Sequence, residues 1–267
     1  MITKLNGKRV SPIGIGTWGM GGWLTRDTRK DKIEIAAIKY ALDNGINLID
    51  TAELYGNGHA EELVREAIKN RNRSKLFIIT KVLPIHLSRD GLRKSVAASL
   101  ERLGCGYIDL YLVHWPRPFL NMKEIIGAME ELVDDGSISS FGVSNFGVKY
   151  LKEAITATKK YKVVANEIKY SPITKECEKE VVPFCEKNKV AVIAYSPLAK
   201  GDIVTSEKIS EVAKKYGRTP AQISLAYLMR RSLPIPKATS KEHLDDIISA
   251  LNFKLKDSDY EYLRDKI

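Results

Sequence analysis

Cysteine is scarce in this sequence, which argues against a disulfide-stabilised scaffold. The 267 residues include only three cysteines, Cys105, Cys177 and Cys185. Their odd number and their spacing match neither a disulfide framework nor a metal or redox motif, which fits a reducing compartment. The sequence also lacks an apolar run long enough to span a bilayer, and its first residues lack the apolar stretch of a signal peptide. We therefore expect a cytoplasmic protein without a membrane partner.

Acidic residues are fewer than basic ones. The chain has 43 Lys and Arg against 33 Asp and Glu, a formal net charge of +10. This charge permits binding of anions such as nucleotides, phosphates or nucleic acid. The basic residues are scattered along helical faces and form no tract with interleaved aromatic residues, so we expect a solvated basic surface and no nucleic-acid partner. Nothing in the sequence signals oligomerisation, and a monomer is expected.

Histidine is rare as well, and this bears on metal chemistry. His59, His86, His114 and His243 are isolated, without the H-x-H or H-E-x-x-H spacing of metal sites and without an acidic cluster beside them. The elbow motif that presents a nucleophilic Ser or Cys is also missing. We therefore expect no metal, and acid-base chemistry is the class of reaction that remains.

No linker rich in Pro, Gly or Ser divides the sequence, and we predict a single domain over residues 1–267. An Asn-Gly pair at residues 6 and 7 predicts an N-terminal β-hairpin. Short apolar runs then alternate with helical patterns up to an extra C-terminal helix. The predicted strands cover 13–16, 47–50, 75–80, 107–113, 139–143, 163–167, 190–195 and 233–236, and the predicted helices cover 32–44, 60–70, 89–103, 122–135, 148–160, 175–187, 206–216, 220–231, 241–251 and 258–267. An open, doubly wound sheet would show the same alternation, but eight equivalent units favour a closed (β/α)8, or TIM, barrel.

The residues from Gly14 to Gly19 spell G-x-G-x-x-G, the fingerprint of a dinucleotide-binding βαβ unit. That motif requires the glycines to open a helix directly, whereas helical periodicity here begins only at about Asp31. An acidic residue about 20 positions later should also end the next strand, and Asp50, which ends it here, comes too late. We interpret this stretch as a flexible loop after the first strand.

Ionisable side chains follow three of the predicted strands. Asp50 ends the second strand, with Tyr55 in the loop after it, Lys81 follows the third, and His114 follows the fourth. In a parallel barrel the carboxyl ends of the strands carry the chemistry. A Tyr has an ordinary pKa near 10 and needs about three units of depression to donate a proton near neutrality. We expect Lys81 to lower the pKa of Tyr55, Asp50 to keep Lys81 charged, and a neutral His114 to orient a carbonyl oxygen.

With these residues in this order, the sequence resembles one family, the aldo-keto reductases, from residue 13 to about residue 244. The matching motifs occur in the family's order: Gly16-Thr-Trp18, Leu48-Ile-Asp-Thr-Ala-Glu-Leu-Tyr-Gly56, Thr80-Lys81, Leu112-Val-His-Trp-Pro116, Phe141-Gly-Val-Ser-Asn-Phe146, Asn166-Glu167, Tyr195-Ser-Pro-Leu198 and Ile235-Pro-Lys237. The resemblance implies a barrel that binds NADPH (NADP+) without a Rossmann domain and reduces aldehydes or ketones to alcohols. Its small-molecule partner is then a carbonyl compound.

The resemblance also implies roles for individual residues. Asp50, Tyr55, Lys81 and His114 become the catalytic residues, with Tyr55 as the acid. Trp18 and Trp115, with His114, are expected at the substrate. Cofactor contacts are expected from Ser144 and Asn145 to the nicotinamide carboxamide, from Tyr195 to its ring, from Ser196, Leu198 and Gly201 to the diphosphate, and from Lys237 and Ser240 to the 2′-phosphate.

Four positions depart from the family pattern. Glu167 stands where Gln is common, and a carboxylate can accept from the carboxamide NH2 but cannot donate to its oxygen. Ala238 stands where a phosphate-binding Ser is common, His243 where an Arg is common, and Ile247 where a polar adenine contact is frequent. The resemblance therefore predicts an NADPH preference of uncertain strength, with NADH as a possible alternative cofactor.

A different function class stays open. A barrel of this kind could bind the nucleotide as a sensor or regulatory subunit with little turnover. The intact set of four catalytic residues favours the enzyme. The brief loop after His114 and the chain end at Ile267 predict an open pocket that accepts many carbonyl compounds.

Overall fold

The computed structural model describes all 267 residues, from Met1 to Ile267. The chain begins with an antiparallel hairpin made of β1 (Lys4–Leu5) and β2 (Lys8–Arg9). The turn residues Asn6 and Gly7 have φ values of 44° and 79°. Two consecutive positive φ angles are the geometry that an Asn-Gly pair favours, and the predicted hairpin is confirmed.

Eight parallel strands follow in sequence order and form one sheet. They are β3 (Ile15–Gly16), β4 (Leu48–Asp50), β5 (Phe77–Val82), β6 (Leu110–Val113), β7 (Phe141–Ser144), β8 (Val163–Lys169), β9 (Ala191–Tyr195) and β10 (Leu233–Pro234). Backbone hydrogen bonds from Gly14 N to Pro234 O and from Gly16 N to Pro236 O, both 2.9 Å, join the first strand of this sheet to the last. The sheet therefore closes, and the predicted (β/α)8 barrel is confirmed.

The closure explains the first two glycines of the G-x-G-x-x-G stretch. A Cβ atom at Gly16 would lie 2.8 Å from the backbone oxygen of Ile235, and one at Gly14 would lie 2.3 Å from the Leu48 side chain. At Gly16 the obstacle is backbone, so glycine there lets the first and last strands of the sheet approach. At Gly14 the obstacles are side chains, the flexible end of Leu48 and an Ile235 methyl group 3.0 Å away, so glycine there only relieves crowding. Gly16 lies in β3 and Gly14 just before it, within the strand predicted over 13–16, and the loop interpretation applies to the rest of the stretch, which follows β3.

Helices surround the sheet and share with its outer face a core of 61 buried residues. They are α1 (Asp31–Asp43), α2 (His59–Ile68), α3 (Arg89–Leu103), α4 (Met122–Asp134), α5 (Val148–Ala157), α6 (Val181–Lys187), α7 (Glu207–Tyr216), α8 (Pro220–Leu228), α9 (Lys241–Ala250) and the extra C-terminal α10 (Asp257–Lys266). Their ends carry local signals: Thr219 and Gln222 form a capping box at α8, and α3 ends at Gly104 in the left-handed conformation. None of them combines the length and apolar character needed to cross a membrane.

The helix predicted over 175–187 is the clearest difference from the sequence analysis. A short 3-10 turn covers Glu176–Glu178, and α6 begins only at Val181. Pro183 lacks a backbone N–H and is tolerated in the first turn of a helix, whereas in the interior of a longer helix it would remove a hydrogen bond. The partly buried hydrogen bonds that Glu178 accepts from Tyr170 and Tyr227, at 2.5 and 2.7 Å, fix the segment before it.

Candidate active site

The barrel interior explains which side chains meet at the carboxyl ends of the strands. Its apolar filling includes Leu48, Phe77, Ile79, Leu110, Leu112, Ala165, Ile193, Leu233 and Ile235. Alternate residues of a strand face the same side, so the next interior positions after five of these residues are Asp50, Lys81, His114, Glu167 and Tyr195. The amino end of the barrel is filled by Leu5 and Val10 from the hairpin region. The ionisable side chains that follow this apolar filling therefore gather at the carboxyl end.

Lys81 lies at the centre of this group and is fully buried. Its Nζ atom donates to Asp50 Oδ2 at 2.6 Å and Oδ1 at 2.8 Å, to the backbone oxygen of Thr51 at 3.0 Å, and to the Tyr55 hydroxyl at 3.3 Å. Although burial works against the charged form, the neighbouring carboxyl groups, Asp50 first, raise the pKa of Lys81 above its ordinary value. Lys81 is therefore a charged ammonium held against Tyr55.

Tyr55 begins the 3-10 turn Tyr55–Gly58 after β4, and 6% of its surface is exposed. The loop after β3 supports this turn through a hydrogen bond from Gly56 N to Trp23 O, 2.9 Å. Burial raises the pKa of Tyr55 above its ordinary value, against the opposing effect of the Lys81 charge. Lys81 therefore acts on this pKa in the expected direction, but the net depression expected from the sequence is not found, because desolvation of a phenolate outweighs one ammonium that is shared with two carboxyl groups.

His114 follows β6 and faces Tyr55, with ring centroids 5.9 Å apart. Its ring stacks on Trp115 at 3.6 Å, and its Nδ1 atom is buried without a hydrogen-bond partner. Burial, with a smaller effect from the Lys81 charge, lowers the pKa of His114 to about 2. The imidazole is neutral across the physiological range, as expected from the sequence.

Glu167, on β8, lies beside Lys81, which is not expected of a residue that contacts only the carboxamide. Its Oε1 atom lies 3.4 Å from Lys81 Nζ, and its Oε2 atom is buried without a partner. Burial and the nearby Asp50 carboxylate raise the pKa of Glu167 well above its ordinary value. The sequence analysis did not predict this pairing, although a Glu at a position where Gln is common was the available signal.

Ser144, Asn145 and Tyr195 form a second hydrogen-bonded group beside His114. The Asn145 amide donates to the backbone oxygen of His114 at 3.0 Å and to Ser144 Oγ at 3.1 Å, and it accepts from the Tyr195 hydroxyl at 2.8 Å. Asn145 has a positive φ of 63°. A non-glycine residue in this region is uncommon and often marks a functional site.

The residues expected at the diphosphate lie in the loop after β9. Ser196 has a φ of 51°, and Ala199, Lys200 and Gly201 have φ values of 45°, 56° and 104°. Backbone in this conformation turns successive N–H groups toward one side, which is how anion-binding concavities are built. Leu198 precedes this run and is partly buried.

The residues expected at the 2′-phosphate lie after β10. Lys237, Ser240 and His243 are all exposed, and Ala238 between them is buried. Ser240 is the N-cap of α9 and its Oγ accepts from His243 N at 3.3 Å. A helix N-terminus with an exposed lysine before it suits an anion.

Tryptophans surround the opening of the cleft. Trp18 contacts Tyr55 edge to face, with centroids 4.8 Å apart, and Trp115 stacks on His114. Trp23, which the sequence analysis did not single out, packs edge to face on Trp18 at 5.1 Å and is 61% exposed. Only its place in a glycine-rich loop after the first strand hinted at this position. All three tryptophans of the chain therefore lie at one opening.

Taken together, the arrangement can protonate an oxygen in an environment that largely excludes water. It combines a buried phenol, an ammonium that would stabilise the phenolate, and a neutral imidazole. No group of three or more His, Cys, Asp or Glu side chains is placed to hold a metal ion.

Comparison with known proteins gives a consistent result. The family model described as Aldo/keto reductase family matches residues 12–267. The methylglyoxal reductase YeaE of Escherichia coli (strain K12) is 32% identical over 258 residues, which cover 94% of this chain and 89% of the relative. The crystal structure of a thermostable aldo-keto reductase with the inhibitor epalrestat superposes with a TM-score of 0.93 at 40% identity and covers 99% of each chain. An aldo-keto reductase from Klebsiella pneumoniae in complex with NADPH gives a TM-score of 0.89 at 32% identity and covers 100% of this chain and 95% of that one.

Proposed function

Because this chain belongs to the aldo/keto reductase family, we propose that it is an NADPH-dependent oxidoreductase that reduces aldehydes and ketones to alcohols, with Tyr55 as general acid. The observation that carries the proposal is the buried contact of Lys81 with both Asp50 and the Tyr55 hydroxyl, next to a neutral His114. These four side chains come from the ends of three strands and one loop. Such convergence is typical of catalytic sites in this fold.

Side chains of this protein supply the proton that the carbonyl oxygen receives and stabilise the anion left behind. The raised pKa keeps the Tyr55 phenol protonated near neutrality, so the proton donor is fully populated. As the proton leaves for a carbonyl oxygen, the Lys81 ammonium 3.3 Å away stabilises the phenolate that forms. Asp50 keeps that ammonium in place, and the neutral imidazole of His114 is available to hydrogen-bond the substrate oxygen. Bound NADPH would supply the hydride for the carbonyl carbon.

The residues along the strand ends suit an extended dinucleotide. Ser144 and Asn145 would hold its carboxamide end, and the half-buried Tyr195 would cover the ring. The left-handed backbone around Gly201 and the N-terminus of α9 offer N–H groups for the phosphates. Lys237 and Ser240 would favour the 2′-phosphate, with His243 close in sequence. The NADPH complex of the Klebsiella relative supports this choice of cofactor.

The substrate class is small or apolar carbonyl compounds. Trp18, Trp23 and Trp115 are 39%, 61% and 37% exposed, so the opening is aromatic and accessible. An accessible aromatic opening favours the apolar part of a substrate without selecting one shape. The methylglyoxal reductases among the relatives support activity on small dicarbonyl compounds as well.

The test follows NADPH absorbance with a panel of aliphatic and aromatic aldehydes and diketones, including methylglyoxal. We expect NADPH consumption that depends on the carbonyl compound. Quenching of tryptophan fluorescence measures nucleotide binding separately, because every tryptophan lies at the opening. A protein that binds NADPH but consumes it with none of the carbonyl compounds would contradict the proposal and favour a nucleotide sensor.

A further inference from the structure

Two carboxyl groups, those of Asp50 and Glu167, lie beside the single ammonium of Lys81. Asp50, Lys81 and Glu167 are 2%, 0% and 2% exposed. If all three were ionised, one positive and two negative charges would share a buried site with a net charge of −1. An unmatched buried charge is costly, and such a site usually changes its protonation state instead.

The hydrogen bonds identify the carboxyl group that is in excess. The Lys81 ammonium has three N–H groups, and its partners within hydrogen-bond geometry are Asp50, the Thr51 oxygen and Tyr55. Glu167 Oε1 is the most distant neighbour of Nζ at 3.4 Å, and Glu167 Oε2 has no donor at all. Asp50, in contrast, has Lys81 against both of its oxygens. The proton is therefore more favourable on Glu167 than on Asp50.

The other groups that face Glu167 do not change this assignment. They are the phenols of Tyr55 and Tyr195, and the charge of Glu167 would raise the pKa of each. Neither phenol carries a positive charge that could stabilise a second carboxylate. The pKa of Glu167 agrees with this geometry. Burial, and to a smaller extent the nearby Asp50, raise that pKa well above its ordinary value.

We propose that Glu167 is held as an un-ionised carboxylic acid at neutral pH and that it acts as a positioning residue. In this form it leaves the charge of Lys81 to Asp50 and Tyr55. An ionised Glu167 would compete for Lys81 and disfavour the Tyr55 phenolate, so the neutral form supports proton donation. This consequence for turnover rests on the proposed reductase function, whereas the protonation of Glu167 does not.

Infrared difference spectroscopy of the purified full-length protein tests the protonation directly. We expect the wild-type spectrum at pH 7 to contain a carbonyl stretching band of a carboxylic acid that Glu167→Gln removes. Glu153→Gln, at an exposed carboxylate, is the matched control and should change only carboxylate bands. If Glu167→Gln also removes only carboxylate bands, the proposal is overturned.

A second variant tests the part played by Asp50. In Asp50→Asn the competing charge is gone, and Glu167 should ionise as the remaining partner of Lys81. The acid band should then disappear although Glu167 is present. An acid band that persists in this variant would show that the Asp50 charge does not keep Glu167 protonated and would overturn this part of the proposal.

Stability against pH gives a readout that needs neither cofactor nor activity. A folded-state pKa above the unfolded value of about 4.3 means that the folded protein binds an extra proton, so wild-type stability should fall as pH rises through the window from 5 to 8. Relative to Glu167→Gln, the wild-type unfolding constant should grow by up to about tenfold per pH unit. Equal slopes in the two proteins would contradict the proposal.

Turnover supplies the last measurement. Because Gln is neutral and similar in shape, Glu167→Gln should lose much less than the roughly 10²-fold in kcat that removal of a catalytic acid costs. A loss of that size would overturn the role assigned to the neutral form. If the wild type itself shows no NADPH turnover, the proposed function fails while the infrared and stability results still decide the state of Glu167.

Discussion

The two ends of the barrel each contain a cluster of charged side chains, and the clusters differ in composition. At the amino end the carboxylate of Asp109 lies between Lys8 at 2.6 Å and Arg73 at 2.7 Å, and it accepts from Ile78 N at 2.9 Å. The ring of Tyr107 lies against the Arg73 guanidinium at 4.1 Å. At the carboxyl end Lys81 lies between Asp50 and Glu167.

The difference separates a stabilising cluster from a reactive one. At the amino end the cations are 27% and 19% exposed, so water screens the excess positive charge, and Arg73 Nε is the unpaired buried atom. At the carboxyl end the charged groups are almost fully buried, and polar atoms of Glu167 and His114 lack partners. Unpaired buried groups cost stability. Because Arg73 still pairs with Asp109 through another nitrogen, whereas the unpaired atoms of Glu167 and His114 lie beside a buried Tyr55, the carboxyl end has the features of a site arranged for a ligand and a proton.

The largest expected effect is a loss of activity without a loss of stability at the carboxyl end. Tyr55→Phe removes the proton donor and should lower kcat by about 10²- to 10⁴-fold, or about 2.7 to 5.5 kcal/mol of activation free energy. NADPH binding, measured by tryptophan quenching, and the urea midpoint should change little. A Phe variant with near-normal turnover would show that Tyr55 is not the acid.

At the amino end we expect the opposite result, a loss of stability without a loss of activity. Asp109→Asn removes the charge between Lys8 and Arg73 and should lower the free energy of unfolding by about 1.5 to 3 kcal/mol, the range for hydrogen bonds to charged groups. Urea unfolding measures this change. The kcat of the folded variant should equal that of the wild type, since the cluster lies at the far end of the barrel. A parallel loss of kcat would mean that the two ends are coupled.

A pH effect of intermediate size should come from His114. Its pKa of about 2 in the folded protein lies below the ordinary value, so its contribution to stability is present above about pH 6.5 and is lost as pH falls. Between pH 6.5 and 5 the wild type should lose about 1.4 kcal/mol per pH unit more than His114→Gln, whose side chain does not titrate. Chemical unfolding at several pH values measures this difference. Equal pH dependence in both proteins would show that His114 is not desolvated.

The smallest effect is expected at the exposed end of the proposed cofactor site. His243→Arg adds a permanent charge near Lys237 and Ser240 and should strengthen the preference for NADPH over NADH. Because these residues are exposed, the gain should be only about 0.2 to 1 kcal/mol. The ratio of the two dissociation constants measures it, with His243→Ala as the control. An unchanged ratio in both variants would mean that His243 does not reach the 2′-phosphate.

Local sequence determined much of this protein. The apolar runs and their spacing predicted the barrel, the Asn-Gly pair predicted the hairpin, and strand-end positions identified Asp50, Lys81 and His114. These predictions succeed because strand periodicity and turn chemistry depend on a few neighbouring residues. The helix predicted over 175–187 was too long because its pattern did not show what Glu178 binds.

Only the tertiary structure decided the electrostatics of the site. It brought Glu167 of β8 within 3.4 Å of Lys81 of β5, although two other strands separate them in the sheet. It also buried Tyr55 deeply enough to reverse the expected direction of its pKa shift. Both outcomes depend on barrel closure, because closure sets which distant side chains meet and how much water is removed from them. The energy of a buried charge depends on its neighbouring charges and on its loss of water.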